Sequence, residues 1–443
     1  MGQTLSEPVV EKFSDTGADE RLIYGLSSMQ GWRISMEDAH AAILDLQNSD
    51  SPQRPTTAEE RLSFFGVYDG HGGDKVAIFS GENIHKILAK QAAFAAGDFE
   101  QALKDAFLAT DRAILQDARY EDEVSGCTAS AALITNTKIY VANAGDSRTV
   151  LGVKGRAKPL SFDHKPQNEG EKARITAAGG FVDFGRVNGN LALSRAIGDF
   201  EFKKSAKLPP EEQIVTAYPD VMIHDIADDD EFLVVACDGI WDCQSSQAVI
   251  EFVRRGIAER QELHKICENL MDNCLSNNSE TGGVGCDNMT MAIIGLLRGK
   301  TKEQWYDMIC KRVADGDGPC APPEYAESRG PRKQGGFSGD SPDEFDDEEE
   351  EKAGVIRSAL RSGRVIVLGD GSEVLTSDSA TDEEYDDEQF SQGEKDDEAL
   401  AKAPKTKTED VEMKDAAVTK PTENDSEKTA STKEAETKQV GSA

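Results

Sequence analysis

Four short segments of this chain could do chemistry together: Glu37-Asp38, Asp69-Gly70, Asp238-Gly239 and Asp287-Asn288. Asp69 directly follows the apolar run Phe64–Tyr68, and Asp238 directly follows Phe232–Cys237. Asp287 lies just before Thr290–Leu297, and Glu37-Asp38 follows Gly31-Trp32-Arg33. A carboxylate at the end of a buried strand is costly unless another charge compensates it. Several converging there repel one another and raise their pKa values. A hard divalent cation relieves this, because Mg²⁺ and Mn²⁺ prefer carboxylate, carbonyl and water ligands. Glycine after Asp69 and Asp238 lets the backbone bend closely and present a carbonyl oxygen. Taken singly, each pair reads as an ordinary turn or cap. Four at strand ends in one domain point to a cation site.

The elements that must position these residues show in the apolar pattern. Phe64–Tyr68 reads as a short strand, followed by a helical pattern through Val76, Ile84, Ile87 and Leu88. A second helix is predicted over Phe99–Leu115. Thr128–Ile134 and Lys138–Ala142 read as strands around a Thr135-Asn136-Thr137 turn, and Thr149–Val153 and Lys158–Ser161 continue the hairpin pattern. Phe232–Cys237 is a buried strand, Ala248–Ile257 and Leu263–Cys274 are helices, and Thr290–Leu297 is the last strand. Thr301–Ala314, with Trp305, Met308 and Ile309 in helical spacing, is expected to dock one more helix. Helix pairs separated by hairpin strands do not make a doubly wound sheet. The predicted fold is α+β: a central β-sandwich of two mostly antiparallel sheets flanked by helix pairs, in α-β-β-α layers. Composition divides the chain into an N-terminal segment (1–20), a body with ordinary apolar content (21–297), an accessory helix and linker (298–330) and an acidic tail (331–443), the last expected to be mostly disordered.

Charge excludes several functions. The 443 residues carry 83 acidic and 49 basic side chains, a formal charge of −34. Residues 331–443 hold 31 acidic and 15 basic ones, which leaves 52 and 34, or −18, for the first 330. A duplex-binding protein needs a basic face, so nucleic acid is not an expected partner. No apolar run approaches the roughly 20 residues that span a bilayer. No charged-then-apolar N-terminal signal is present either. The eight cysteines include no Cys-x-x-Cys pair, which argues against zinc ribbons and fits a reducing compartment, cytoplasmic or nuclear.

At the level of motifs the chain resembles a family. Tyr24-Gly25-Leu26-Ser27-Ser28-Met29-Gln30-Gly31-Trp32-Arg33 with Met36-Glu37-Asp38, and then Val67-Tyr68-Asp69-Gly70-His71-Gly72-Gly73, resemble the opening motifs of the type 2C metal-dependent serine/threonine protein phosphatases. Ser125-Gly126-Cys127-Thr128-Ala129, Ala144-Gly145-Asp146-Ser147-Arg148 and Asp163-His164-Lys165-Pro166 follow in the family's order. So do Arg186-Val187-Asn188-Gly189, Leu193-Ser194-Arg195-Ala196-Ile197-Gly198-Asp199, Ala236-Cys237-Asp238-Gly239-Ile240-Trp241-Asp242 and Asp287-Asn288-Met289-Thr290. The resemblance covers about residues 20–297, and the acidic tail is most similar to that of fungal members.

The resemblance implies hydrolysis of phosphoserine and phosphothreonine in proteins by direct attack of a metal-bridging hydroxide, with no phosphoenzyme. It implies two Mg²⁺ or Mn²⁺ ions, with Asp69 bridging, the Gly70 carbonyl and Glu37 serving one, and Asp238 and Asp287 the other; a two-metal site suits such a displacement. Arg33 would clamp the phosphate; the spacing alone equally allows an ion pair with Glu37. His71 would protonate the leaving alkoxide, and Asp38 would orient water or His71. A third, weaker ion is implied at Asp146 with Asp238 and Asp242. Arg186, in the segment 163–190 beside the site, would contact substrate. The implied partners are phosphorylated proteins, among them stress and cell-cycle kinases, and a monomer suffices. The alternative is an inactive pseudophosphatase that binds phosphoproteins.

Met1-Gly2-Gln3-Thr4-Leu5-Ser6 fits an N-myristoylation pattern at Gly2. One acyl chain without a polybasic patch would give at most weak membrane association. In the tail, Val355–Leu375 interrupts the acid with Arg357, Arg361, Arg364 and the run Val365–Leu368, a candidate docking element that could add a strand to an edge. Ser379 and Thr381 precede acidic runs and suit acidophilic kinases.

Overall fold

A computed structural model describes residues 4–46, 57, 59–279 and 283–323, together with two short strands, Val365–Val367 and Glu373–Leu375. Eleven strands build the sandwich. They are β1 (Thr4–Ala18), β2 (Leu22–Arg33), β3 (Ala39–Ile43), β4 (Ser63–Tyr68), β5 (Ala129–Ile134) and β6 (Lys138–Ala144), then β7 (Arg148–Val153), β8 (Arg156–Pro159), β9 (Asp220–Asp225), β10 (Asp230–Ala236) and β11 (Met289–Leu296). One sheet has the order β1-β2-β11-β10-β7-β8 and the other β9-β6-β5-β4-β3. Every pairing in them is antiparallel.

Period-two alternation sorts the side chains between layers. In β10, Leu233 and Val235 join Leu26, Phe65, Val141 and Ile294 in the core between the sheets. Phe232, Val234 and Ala236 point the other way, onto the helices Ser246–Ala258, Leu263–Cys274 and Lys302–Ala314. Against the outer face of the second sheet, Phe64 and Leu133 pack on Ile84 and Leu88 of the helix Lys75–Ala89 and on Leu103 and Phe107 of the helix Phe99–Gln116. The expected α-β-β-α layering is the observed one. Within the N-terminal segment set apart by composition, Thr4–Ala18 instead forms the edge strand of the first sheet: one face of β1 stays largely exposed, so no apolar alternation marks it. The accessory helix buries Trp305 and Ile309 in the body and is started by a Thr301–Gln304 capping box.

Chain contacts divide the protein into two units, 1–338 and 339–443. In the second, Val365–Val367 pairs antiparallel with Glu373–Leu375, inside the stretch expected to have strand character. The rest of the tail, Ser379, Thr381 and Gly2 lie outside the described residues.

Two polar networks lock the body. Glu231 and Arg254 are wholly buried and paired at 3.0 Å, and Arg312 adds a second guanidinium to Glu231 at 3.0 Å. Removing one partner strands buried charge, so Glu231→Gln is expected to cost about 3–5 kcal/mol in chemical denaturation. In the 163–220 region, Glu171 accepts from Arg195, Arg174 and Ser194. Burial opposes its ionisation, but Arg195, Arg174 and Ser194 outweigh it and hold the carboxyl at about 2, below its ordinary 4.5. A carboxyl lowered in this way stabilises the fold above its ordinary pKa, and the contribution fades as pH falls through 4.5 toward 2. Glu171→Gln should therefore cost about 2–3 kcal/mol at neutral pH, and the gap to the parent should narrow in unfolding curves taken down to about pH 3.

Candidate active site

All the predicted metal-site carboxylates lie at one end of the sandwich. Ala236 sits opposite both Met291 and Arg148 in the first sheet. That register brings Asp238 (after β10), Asp287 (before β11) and Asp146 (before β7) to a common edge. Asp69 follows β4 in the second sheet. Its N–H donates to Thr128 Oγ1 at 3.2 Å, its carbonyl accepts from Thr128 N at 2.9 Å, and Thr128 is bonded in turn to Ser147 at 2.7 Å. A Cβ at Gly70 would stand 2.2 Å from the Glu37 carbonyl oxygen, so only glycine lets the 37–38 segment close on the Asp69 turn.

Asp38, Asp69 and Cys237 offer ligand atoms that lie within 4.8 Å of one another. Among the described residues, neither carboxylate oxygen of Asp38, both buried, meets a hydrogen-bond partner of good geometry, though Thr290 and Cys237 stand close enough to favour its charge. Burial, reinforced by Asp287 and only partly offset by Thr290, Cys237 and Arg33, pushes its pKa up to about 7. Burial and then the charges of Asp238, Asp38, Asp287 and Asp146 raise Asp69 well above the carboxylate range. Asp238 is raised in the same way by burial, Asp146, Asp287 and Asp242. Asp287 is also raised, chiefly by burial. Among the described residues, cations reach only the margin of this cluster: Arg33 pairs with Asp287 at 2.5 Å and Lys165 with Asp146, while Asp69 and Asp238 have none. Burial likewise holds the Cys237 thiol neutral, far above its ordinary pKa. The donor set is therefore oxygen-rich, underneutralised and suited to a hard divalent cation.

A cavity of about 310 Å³ opens over this edge, lined by Arg33, Ile34, Ser35, Glu37, Gly70, Asp287 and Asn288. Arg33 is partly exposed there and bonded to Asp287, not to Glu37. His71, also partly exposed, places Nε2 2.7 Å from Asp199 Oδ2. Asp38 is not its partner. Burial works against the imidazolium, but the Asp199 bond and charge, with Asp146 and Glu37, leave the His71 pKa raised above 6.5. Asp242 follows Asp238 by one helical turn, its N–H bonded to the Asp238 carbonyl at 2.8 Å. Arg186 is exposed on the ribbon formed by Val182–Asp183 and Arg186–Val187, donating to the Asn190 carbonyl at 2.6 Å.

Two positioning residues sit within the quoted motifs but were given no role by them. Asn288 accepts from Glu37 N at 2.8 Å and donates to the carbonyls of Gln30 (2.8 Å) and Ser35 (3.0 Å), stapling the Arg33–Asp38 segment to β11. Asp199 is buried and holds a positive φ of 47°. A Cβ at Gly126 would fall 2.1 Å from its Oδ2, so that glycine makes room for the His71–Asp199 pair.

Comparison with known proteins agrees with this arrangement. Residues 22–282 match the family model described as protein phosphatase 2C. The chain is 70% identical over 385 residues to "Protein phosphatase 2C homolog 2" of Aspergillus fumigatus, covering 86% of this chain and 87% of that protein. It is 62% identical to the protein of the same description from Schizosaccharomyces pombe, over 75% of this chain and 88% of that one. Among solved structures, a phosphatase from Toxoplasma gondii shares the fold at a TM-score of 0.53 and 24% identity, over 66% of this chain and 97% of that one. The chain belongs to the protein phosphatase 2C family.

Proposed function

We propose that the chain is a metal-dependent phosphatase of phosphoserine and phosphothreonine in proteins, acting without a phosphoenzyme and with two Mg²⁺ or Mn²⁺ ions at the carboxylate cluster. One observation carries this reading: the half-buried acids Asp38, Asp69 and Asp238 converge, and among the described residues none of the three is ion-paired with a protein cation. Asp69, Asp238, Asp287, Glu37 and the Gly70 carbonyl would hold the ions, with Asp69 shared. When bound, such ions supply positive charge to a phosphate dianion and lower the pKa of water toward neutrality.

The chain's own residues supply the rest. Asp287 holds Arg33 by Nη2 alone, so the remaining guanidinium donors face the cavity and can take two phosphate oxygens. Asp199 occupies Nε2 of His71 and favours the protonated ring, which leaves Nδ1 to give a proton to the departing serine or threonine oxygen. Asp38, whose oxygens no well-formed hydrogen bond engages among the described residues, suits the orientation of water. A third ion at Asp146, Asp238 and Asp242 would have to displace Lys165 from Asp146, which makes that site the weaker one. A pseudophosphatase would have no need of the mutually repelling Asp69, Asp238 and Asp287, all of which are present. The deciding experiment is hydrolysis of a phosphothreonine peptide with Mn²⁺ and with EDTA. Turnover that needs Mn²⁺ is expected; turnover that survives EDTA would sink the reading.

A further inference from the structure

A second cavity, about 370 Å³, lies between the β1–β2 ribbon and the helix Lys75–Ala89. Its apolar wall comes from Val9 and Phe13 of β1, Met36 of the segment after β2, and Ile78 of the helix. Three of these are conspicuously wet: Phe13 is 68% exposed, Ile78 43% and Val9 37%. An isolated exposed apolar side chain is ordinary, but several gathered in one concave patch mark a binding surface. β1 is fastened by side chains that are not part of the wall. Lys12 pairs with Asp272 at 2.6 Å and Ser14 donates to Glu268 at 2.7 Å, both on the helix Leu263–Cys274. The ribbon is thus held in place while Val9, Phe13 and Ile78 stay exposed.

The charge of the groove is one-sided. Glu11 and Glu82 line it and form no ion pair among the described residues, and Asp38 reaches it from below. An occupant therefore gains by bringing cations as well as an apolar side chain. The groove also adjoins the catalytic cavity through one stretch of backbone. Ser35 and Glu37 line the catalytic cavity, and Met36 and Asp38 line the groove. The two cavities therefore share the backbone of residues 35–38 as a common wall.

We propose that this groove is a docking site for the protein substrate, taking a stretch that carries an apolar side chain flanked by arginine or lysine, away from the phosphorylated residue. The proposal rests on the phosphatase reading and adds a substrate class to it. Phe13 and Ile78 receive the apolar side chain; Glu11 and Glu82 receive the flanking cations. Docking raises the effective concentration of the tethered phosphate at the catalytic cavity, so it lowers KM for substrates that carry the stretch and leaves small substrates untouched.

The test uses the full chain with Mn²⁺ and two variants at exposed positions outside the catalytic cavity, Phe13→Ser and Glu82→Arg. A labelled, unphosphorylated Arg-Leu-Arg-Leu-Arg peptide is titrated by fluorescence anisotropy, with a Leu→Gly peptide as control. A phosphothreonine peptide is then assayed with and without that stretch appended, beside p-nitrophenyl phosphate. Both variants are expected to weaken peptide binding by about tenfold, the equivalent of 1.4 kcal/mol. They should also raise KM for the extended phosphopeptide alone, with kcat and the aryl phosphate rate unchanged. Equal binding of the Leu→Gly peptide would show attraction by charge only and overturn the proposal, as would binding indifferent to both variants. A dimer in sedimentation that Phe13→Ser dissolves would assign the groove to a second copy instead. No hydrolysis of p-nitrophenyl phosphate would defeat the phosphatase reading separately, while the anisotropy still reports on the groove.

Discussion

Asp69→Asn is expected to lower kcat/KM for a phosphothreonine peptide by about three orders of magnitude or more, roughly 4 kcal/mol of transition-state stabilisation, and at the same time to raise the Tm of the metal-free protein. The two effects have one cause. Asp69 sits among Asp38, Asp238, Asp287 and Asp146, and burial followed by their charges drives its pKa well up. Without a cation, that crowding is a destabilising load, and an amide of the same shape relieves it. With cations bound, the same carboxylate would be the shared ligand of the proposed site, and its charge would be compensated. The wild-type protein should therefore gain several degrees of Tm when Mn²⁺ is added, by mass action on the folded state, and Asp69→Asn should gain far less. Calorimetry in EDTA and in Mn²⁺, beside steady-state rates, reads both. Near-normal turnover in the variant, or a wild-type Tm indifferent to Mn²⁺, would contradict the cation assignment.

His71→Asn should cost about 10²–10⁴ in kcat on a phosphothreonine peptide, the usual worth of a general acid, and little on p-nitrophenyl phosphate. The alkoxide of threonine leaves poorly without a proton, whereas nitrophenolate leaves without one. The pH profile carries the sign. Asp199 and its neighbours outweigh burial and raise the His71 pKa above 6.5. The proton donor is the charged form, so the rate on the peptide holds below that raised pKa and falls as pH climbs through it. Asp199→Asn removes the 2.7 Å bond and the charge behind it, so the falling limb should move to lower pH. A profile unmoved by Asp199→Asn would detach His71 from proton transfer.

Much of this architecture could be read from the chain alone. The helix Leu263–Cys274 has its predicted bounds, and the strand ahead of Asp238 agrees with Phe232–Cys237 to within two residues. Both are continuous or strictly periodic apolar patterns with one structural solution. β1 was not legible, because an edge strand covered on one face carries polar residues along most of its length. Asp220–Asp225 was missed for the same reason: it is an edge strand in which no residue is fully buried.

The candidate site divides along a similar line. The acids and the strands that carry them are local facts: Asp69, Asp238 and Asp287 each adjoin an apolar run, so sequence by itself determined that carboxylates stand at strand ends and that a hard cation would suit them. Which groups face one another was decided only in three dimensions. Arg33 and Asp287 are 254 residues apart, Glu37 and Asn288 251, and His71 and Asp199 128. Such pairs depend on strand order and register across two sheets, which no local periodicity encodes. The groove beside β1 belongs to the same class: its walls come from β1, the Arg33–Asp38 segment and the helix Lys75–Ala89, and it exists only once the sheet has placed all three together.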